Sequence, residues 1–204
     1  MEGKRVLVAM SGGVDSSAAA LLLRQQGYDC DGAMLRLYNG EKAGTCCSAD
    51  DADDARSVAY RLGMKFYVFN ETERFAREVM DRFVAEYCAG HTPNPCIDCN
   101  RCLKFGALLD AALSLGADRI ATGHYARLLD GPVGPVLAAA DDLAKDQSYF
   151  LSLVPLERLR RAVFPLARQD KAASIAQVKD AGLAVPVPQE SQEICFIPAK
   201  SSSV

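Results

Sequence analysis

The stretch "RVLVAMSGGVDSSAAALLLRQQG", residues 5–27, carries the reading of the fold. Residues 5–10 form a short apolar run, Ser11, Gly12 and Gly13 close it, and the following segment has helical character until Gly27. Strand, tight turn and helix in that order leave the backbone amides of Gly12 to Ser17 converging at the positive end of the helix. Such a turn is a seat for a phosphate or pyrophosphate, and the glycines let the backbone come close to it. The plain structural alternative is a glycine turn with Asp or Ser capping the helix. The pattern is not the common nucleotide triphosphatase loop: no lysine follows the glycines, and Asp15 stands where that loop would place positive charge.

The same alternation recurs downstream. "DGAMLRLY" (31–38) reads as a strand, "ADDADDARSVAYRLG" (49–63) as a helix, "KFYVFN" (65–70) as a strand and "TERFAREVMDRFVAEYCAG" (72–90) as a long helix. "CLKFGALLDAALSLG" (102–116) is helical in its spacing, and "ADRIATGHYAR" (117–127) supplies a fourth, buried strand that runs out at Gly123. An α/β fold with a parallel sheet and helices on both faces is expected. Ligands in such sheets bind beyond the carboxyl ends of the strands, which places Gly123 and His124 at the same crevice as the glycine turn. His124 taken alone reads equally well as a satisfied structural histidine. "LLDGPVGPVLAAADD" (128–142) reads as a hairpin, and "DKAASIAQVKDAGL" (170–183) as a further helix that opens a second region.

Composition bounds the function. The chain has 204 residues, half of them hydrophobic, enough for one sizeable core with an appendage. The N-terminus turns within ten residues from "MEGKRVLVAM" into the glycine turn, so neither secretion nor membrane insertion is expected, and a cytoplasmic location follows. Eight cysteines in that compartment would stay reduced unless they ligate metal or do chemistry. A net charge of −3 argues against a general cationic coat for nucleic acid, though not against a local basic groove.

Three of the cysteines fall in "NPCIDCNRC" (94–102). With a helix expected to start near Asp98, Cys99 lies in its first turn. There the dipole, Arg101 and Lys104 would favour thiolate and Asp98 would oppose it, making Cys99 a candidate nucleophile. Cys102 shares an apolar face with Phe105 and Leu109 and reads as a small packed hydrophobe or a reactive group. Cys96 belongs to the preceding loop, and Cys195, in "SQEICFIP" (191–198), is remote in sequence. A closed zinc site lacks its second close pair of ligands. Two readings remain: Cys96, Cys99 and Cys195 hold an iron–sulfur cluster with one iron open, or Cys99 and Cys195 form a dithiol pair. The vicinal Cys46 and Cys47 have no account beyond a loop position or adventitious metal binding.

The loop resembles the PP-loop, S-G-G-x-D-S, of enzymes that split ATP between its α and β phosphates, with a Rossmann-like fold of the adenine nucleotide alpha hydrolase type. Five ordered segments, "AMSGGVDSS", "TPNPCIDCNRCLKFG", "LGADRIATGHYAR", "KDQSYFLS" and "SQEICFIP", together resemble the tRNA-specific 2-thiouridylase family from Val6 to Pro198. That resemblance implies ATP- and Mg2+-dependent sulfur transfer to C2 of the wobble uridine of tRNA. It implies an ATP site at Ala9, Met10, Ser11, Gly12, Gly13, Val14, Asp15 and Ser16, with Leu35 and Gly123. It implies a target-base contact at Asn94, Pro95 and Cys96, and a tRNA contact at Lys145, Asp146 and Gln147. Cys99 would be the nucleophile and Cys195 the persulfide carrier, loaded by a cysteine desulfurase or relay protein. A competing scheme places the sulfur on a 4Fe–4S cluster, which Cys96 would favour because some members carry Asp there. Family members continue past "CFIP" into a central domain and a β-barrel that help to grip tRNA. Residues 1–168 are accordingly expected to be the PP-loop catalytic domain and 169–204 the start of a truncated central region. The alternatives are a PP-loop adenylating enzyme for another substrate and a fragment that binds ATP or a cluster without turnover.

Overall fold

The computed structural model describes residues 5–38, 49–186 and 194–197; Cys46 and Cys47 lie outside these. Five strands form one parallel sheet: β1 (Arg5–Ala9), β2 (Asp29–Arg36), β3 (Phe66–Asn70), β4 (Arg119–Ala121) and, further along the chain, β7 (Ala162–Val163). Their spatial order is β3-β2-β1-β4-β7. After Arg5 the central strand β1 is an unbroken apolar run, Val6 to Ala9, because both of its faces are covered, the usual state of a parallel sheet. Val6 and Val8 point to one core with helix α1 (Val14–Gln25) and helix α2 (Ala49–Arg61), whereas Leu7 points to the other with Phe75, Leu103, Leu108 and Ile120. This alternation across a strand fixes which helix covers which face.

The second face is covered by two long helical rods. The first, α3 (72–88), is α-wound over Thr72–Phe75 and Asp81–Cys88 and π-wound over Ala76–Met80. The second, α4 (95–114), is α-wound over Pro95–Asp98 and Leu109–Ser114 and π-wound over Cys99–Leu108. The start of α4 corrects the expected one near Asp98. Asn94 caps the helix, its side-chain oxygen accepting from the Cys96 amide at 3.1 Å, and Pro95 takes the first helical position, where its missing N–H costs nothing. Cys96 therefore sits in the first turn, and Cys99 opens the π-wound stretch, whose i→i+5 bonding widens the helix.

The expected hairpin forms from β5 (Arg127–Gly131) and β6 (Gly134–Ala138), paired antiparallel. The two-residue β7 had no sequence signal; it is made by the chain lying beside β4, with the Ile120 amide donating to the Arg161 carbonyl at 2.9 Å. Helix Lys171–Asp180 packs on α1, and its Val178 belongs to the same buried cluster as Ala18 and Leu23. No helix among the described residues is long and apolar enough to cross a membrane.

Leu7 is 1% exposed at the middle of the sheet. Leu7→Ala is expected to cost about 2–5 kcal/mol and to lower the melting temperature by roughly 5–15 °C, as read by thermal denaturation. A change of under one degree would show that β1 is not the keystone of the core.

Candidate active site

The glycine turn is built as its sequence implies. Gly13 caps α1 with extended backbone, and its carbonyl accepts from the hydroxyls of Ser16 (3.0 Å) and Ser17 (2.9 Å). The Ser11 amide donates to the Ser16 hydroxyl at 3.2 Å, closing the loop on itself. Gly12 has φ +79°, and a Cβ there would come within 2.6 Å of the Asp51 carbonyl oxygen, so only glycine fits. Gly123, at the end of β4, presses on the same loop from the other side. A Cβ on it would meet the Asp15 carbonyl carbon at 2.7 Å and the Ser16 nitrogen at 2.8 Å.

Positive charge reaches this loop by another route than a lysine within it. Lys171, from the helix that packs on α1, places its Nζ 2.7 Å from Asp15 Oδ1, and the Tyr125 hydroxyl donates to the same oxygen at 3.0 Å. Burial pushes the Tyr125 phenol well above its usual range, so it remains a neutral donor. Neither anchor was visible in the sequence, because Lys171 is 156 positions from its partner.

The turn opens on a cleft of about 370 Å3, the size of a small-molecule site. Of the expected nucleotide residues, Ala9, Met10, Ser11, Asp15, Ser16, Leu35 and Gly123 line it, while Gly12, Gly13 and Val14 support it from behind, Val14 within the core. Opposite them, α4 presents Cys96, Asn100, Lys104 and Leu108, a stripe four residues apart, with Cys99 beside Asn100. Cys102 lies off this stripe, packed against the second core and hydrogen-bonded to Glu78, with burial pushing its thiol pKa up. The expected electrostatics at Cys99 also change: Asp98 is held by Arg101 at 3.0 Å and Arg82 at 3.3 Å, so Arg101 is committed to that carboxylate, and among the described residues Lys104 is the cation that lines the cleft.

Cys195 lines the same cleft. Its neighbour Phe196 explains why: the ring stands edge-on to Phe75 at 5.7 Å and to Phe83 at 5.5 Å between centroids, wedging this remote segment onto α3. Cys96, Cys99 and Cys195 thus border one space. Among the described residues, however, no three His, Cys, Asp or Glu side chains gather closely enough to hold a metal ion.

The expected tRNA-contact residues divide. Pro95, Cys96 and Gln147 line the cleft, but the Asn94 side chain is engaged as the helix cap. Asp146 serves its own loop. Burial alone would raise its pKa, but hydrogen bonds from the Ser148 hydroxyl (2.7 Å) and the Ala140 amide (2.9 Å) outweigh that and hold the carboxyl below its usual range. Gln147 is positioned by two bonds to the Tyr125 backbone, its amide donating at 2.7 Å and its side chain accepting at 3.2 Å. Lys145 closes a short 3-10 turn outside the cleft lining.

His124 is both a cleft residue and a satisfied buried one. It lines the cleft, and its Nδ1 lies 2.7 Å from the Thr122 hydroxyl, with the ring packed against both Phe105 and Phe164. Burial, aided by Lys104, drives its pKa well below the ordinary imidazole value, so the ring is neutral near pH 7.

A neutral buried histidine stabilises the fold fully above the unfolded-state pKa of about 6.5, and this contribution is lost as pH falls below it, since the unfolded chain then binds the extra proton. Thermal stability is therefore expected to fall between pH 7 and 5, and His124→Gln to flatten that profile; an unchanged slope in the variant would contradict the assignment.

Residues 4–199 match the family model described as the tRNA methyl transferase HUP domain. The chain is 50% identical over 204 residues to the tRNA-specific 2-thiouridylase MnmA of Rhodospirillum rubrum, a match covering 96% of this chain and 54% of that protein, so the chain spans about half the length of this relative. Among solved structures it is similar to the U34-tRNA thiolase NcsA of Methanococcus maripaludis with its 4Fe–4S cluster (TM-score 0.53, 18% identity, 92% of this chain and 60% of that one). It is likewise similar to the NMN synthetase of Francisella tularensis (TM-score 0.53, 16% identity, 89% and 63%). At these identities the structural likeness establishes the Rossmann-like PP-loop fold alone.

Proposed function

The chain belongs to the tRNA methyl transferase HUP-domain family, and on that premise we propose that it is the catalytic part of an ATP-dependent tRNA 2-thiouridylase. The observation that carries this reading is the convergence of Cys99 and Cys195 on the cleft that the Ser11–Ser16 loop opens into. An adenylating loop and two thiols in one space are what activation followed by sulfur transfer requires.

The C2 carbonyl of uridine is a poor electrophile. In this reading its oxygen attacks the α-phosphorus of ATP, pyrophosphate leaves into the glycine turn, and AMP becomes the group to be displaced. The turn fits that role, since the Gly12 cradle has no room for a side chain and the start of α1 faces the leaving anion. Asp15 would help hold a phosphate-bound Mg2+, which supplies charge neutralisation when present. Lys171 keeps that carboxylate in place.

Sulfur then arrives as a persulfide on Cys195, charged by a cysteine desulfurase or relay protein. Its outer sulfur attacks C2 and expels AMP, giving a Cys195–S–S–C2 adduct. The Cys99 thiolate attacks the Cys195 sulfur of that bond; 2-thiouridine leaves with the outer sulfur, and a Cys99–Cys195 disulfide remains for an external thiol to reduce. Pro95, Cys96 and Gln147 border the space the base would enter. The protein would work in the cytoplasm beside its tRNA. Among the described residues no three cysteine side chains gather closely enough to be the ligand set that the 4Fe–4S alternative needs.

Cys99→Ser and Cys195→Ser should each abolish 2-thiouridine formation, measured by mass spectrometry of digested tRNA, while nucleotide affinity stays within about twofold. Normal thiolation by either variant overturns the pair. Protein purified without oxygen is expected to be free of iron and sulfide and still to thiolate tRNA when given a persulfide donor; iron-dependent activity would restore the cluster reading.

A further inference from the structure

Asn100 follows Cys99 in the chain and lines the cleft, yet the residue as a whole is only 2% exposed. Its Nδ2 donates to the Phe150 carbonyl at 3.1 Å. A carbonyl can only accept, so this bond fixes which end of the amide is nitrogen and turns Oδ1 the other way. That oxygen is buried and has no hydrogen-bond partner among the described residues. Two other side-chain atoms share that condition, Arg101 Nε and Gln177 Oε1, but neither residue lines the cleft. Buried acceptors are normally satisfied, and an orphaned one on a residue that lines a binding space points to a donor that reaches it once a ligand fills that space.

We infer that Asn100 Oδ1 accepts the N3–H of the target uracil and thereby selects uridine over cytidine at the reacting position. The inference rests on the thiouridylase reading of this site. Uracil carries one ring N–H, at N3, between its C2 and C4 carbonyls; cytosine presents a lone pair at N3. Cytosine would therefore set acceptor against acceptor in a dry site, and rejection of a mispaired buried polar group is strong. The same bond assists the chemistry. As O2 attacks phosphorus, positive charge develops along O2–C2–N3, and an acceptor on N3–H stabilises it. No proton need leave for the adduct to form, and the N3 proton is still in place once sulfur has replaced oxygen at C2.

The test compares tRNA bearing wobble U34 with the same tRNA bearing C34, reading tRNA-dependent pyrophosphate release. The wild type should prefer U34 by at least a hundredfold. Asn100→Leu, which has no acceptor, should reduce that preference at least tenfold, whereas Asn100→Asp, which keeps one, should retain it although both lose the amide donor to Phe150. ATP affinity should be unchanged in both. An unaltered preference in Asn100→Leu, an equal loss in both variants, or a loss of ATP affinity alone overturns the inference, the last assigning Oδ1 to the nucleotide. If neither variant folds, the wild type decides: blocking the donor with 3-methyluridine at position 34 should abolish release, and undiminished release refutes the contact. If the wild type releases no pyrophosphate with any tRNA, the thiouridylase reading fails. Asn100 is then judged by the affinity for U34 and C34 anticodon stem-loops, where a wild-type preference erased in Asn100→Leu supports it and equal affinities refute it.

Discussion

Everything at the working edge of this fold depends on one backbone approach, that of Gly123 to Asp15 and Ser16. Strands β1 and β4 are hydrogen-bonded neighbours, with Val8 opposite Ala121, so the chain leaving β4 is carried directly over the turn that leaves β1. There is no room for a Cβ between them. From this contact the rest follows: His124 and Tyr125 are delivered to the cleft and to Asp15, Tyr125 sets Gln147, and the start of α1 is kept facing a space that α4 bounds on the opposite side.

The two walls of the cleft are made by different physics. The loop wall is polar and closely hydrogen-bonded, with Ser11, Ser16, Ser17 and Gly13 satisfying one another. The α4 wall is a stripe on a helix whose other sides are buried against the second core through Leu103, Phe105 and Leu109. Wide winding over Cys99–Leu108 is what lets one stripe carry a thiol, an amide and an ammonium group in succession while the hydrophobic residues keep their contacts. Such winding recurs at functional positions in helices, and here it begins at the cysteine with the strongest claim to chemistry.

Much of this was legible in the sequence. Unbroken apolar runs alternating with helical spacing implied a parallel sheet, and "SGGVDSS" between strand and helix located the polar wall. The start of α4 was harder to place because Pro93 and Pro95 both favour a loop, although Asn94 before Pro95 is itself a capping signal. Strand β7 is two residues long and exists only because β4 offers an edge, a tertiary effect that no local pattern carries. Lys171 and Asn100 carry no local signal, for different reasons. Lys171 acts across 156 positions, whereas Asn100 is an ordinary polar residue in sequence, distinguished only by its burial and its unmatched oxygen.

The aromatic wedge of Phe196 between Phe75 and Phe83 has a consequence for how the molecule comes into being. The glycine turn and α1 are local in sequence, but Cys195 reaches the cleft only after the chain has closed a loop of more than a hundred residues, and closure of that kind is slow compared with local helix and turn formation. The bare turn and the first residues of α1, before Gly123 closes on them, can therefore take shape while the second thiol is still outside. During that interval the wall carrying Cys99 stands apart from the sulfur at the far end of the chain, and the order of assembly itself separates the two thiols until the core is complete.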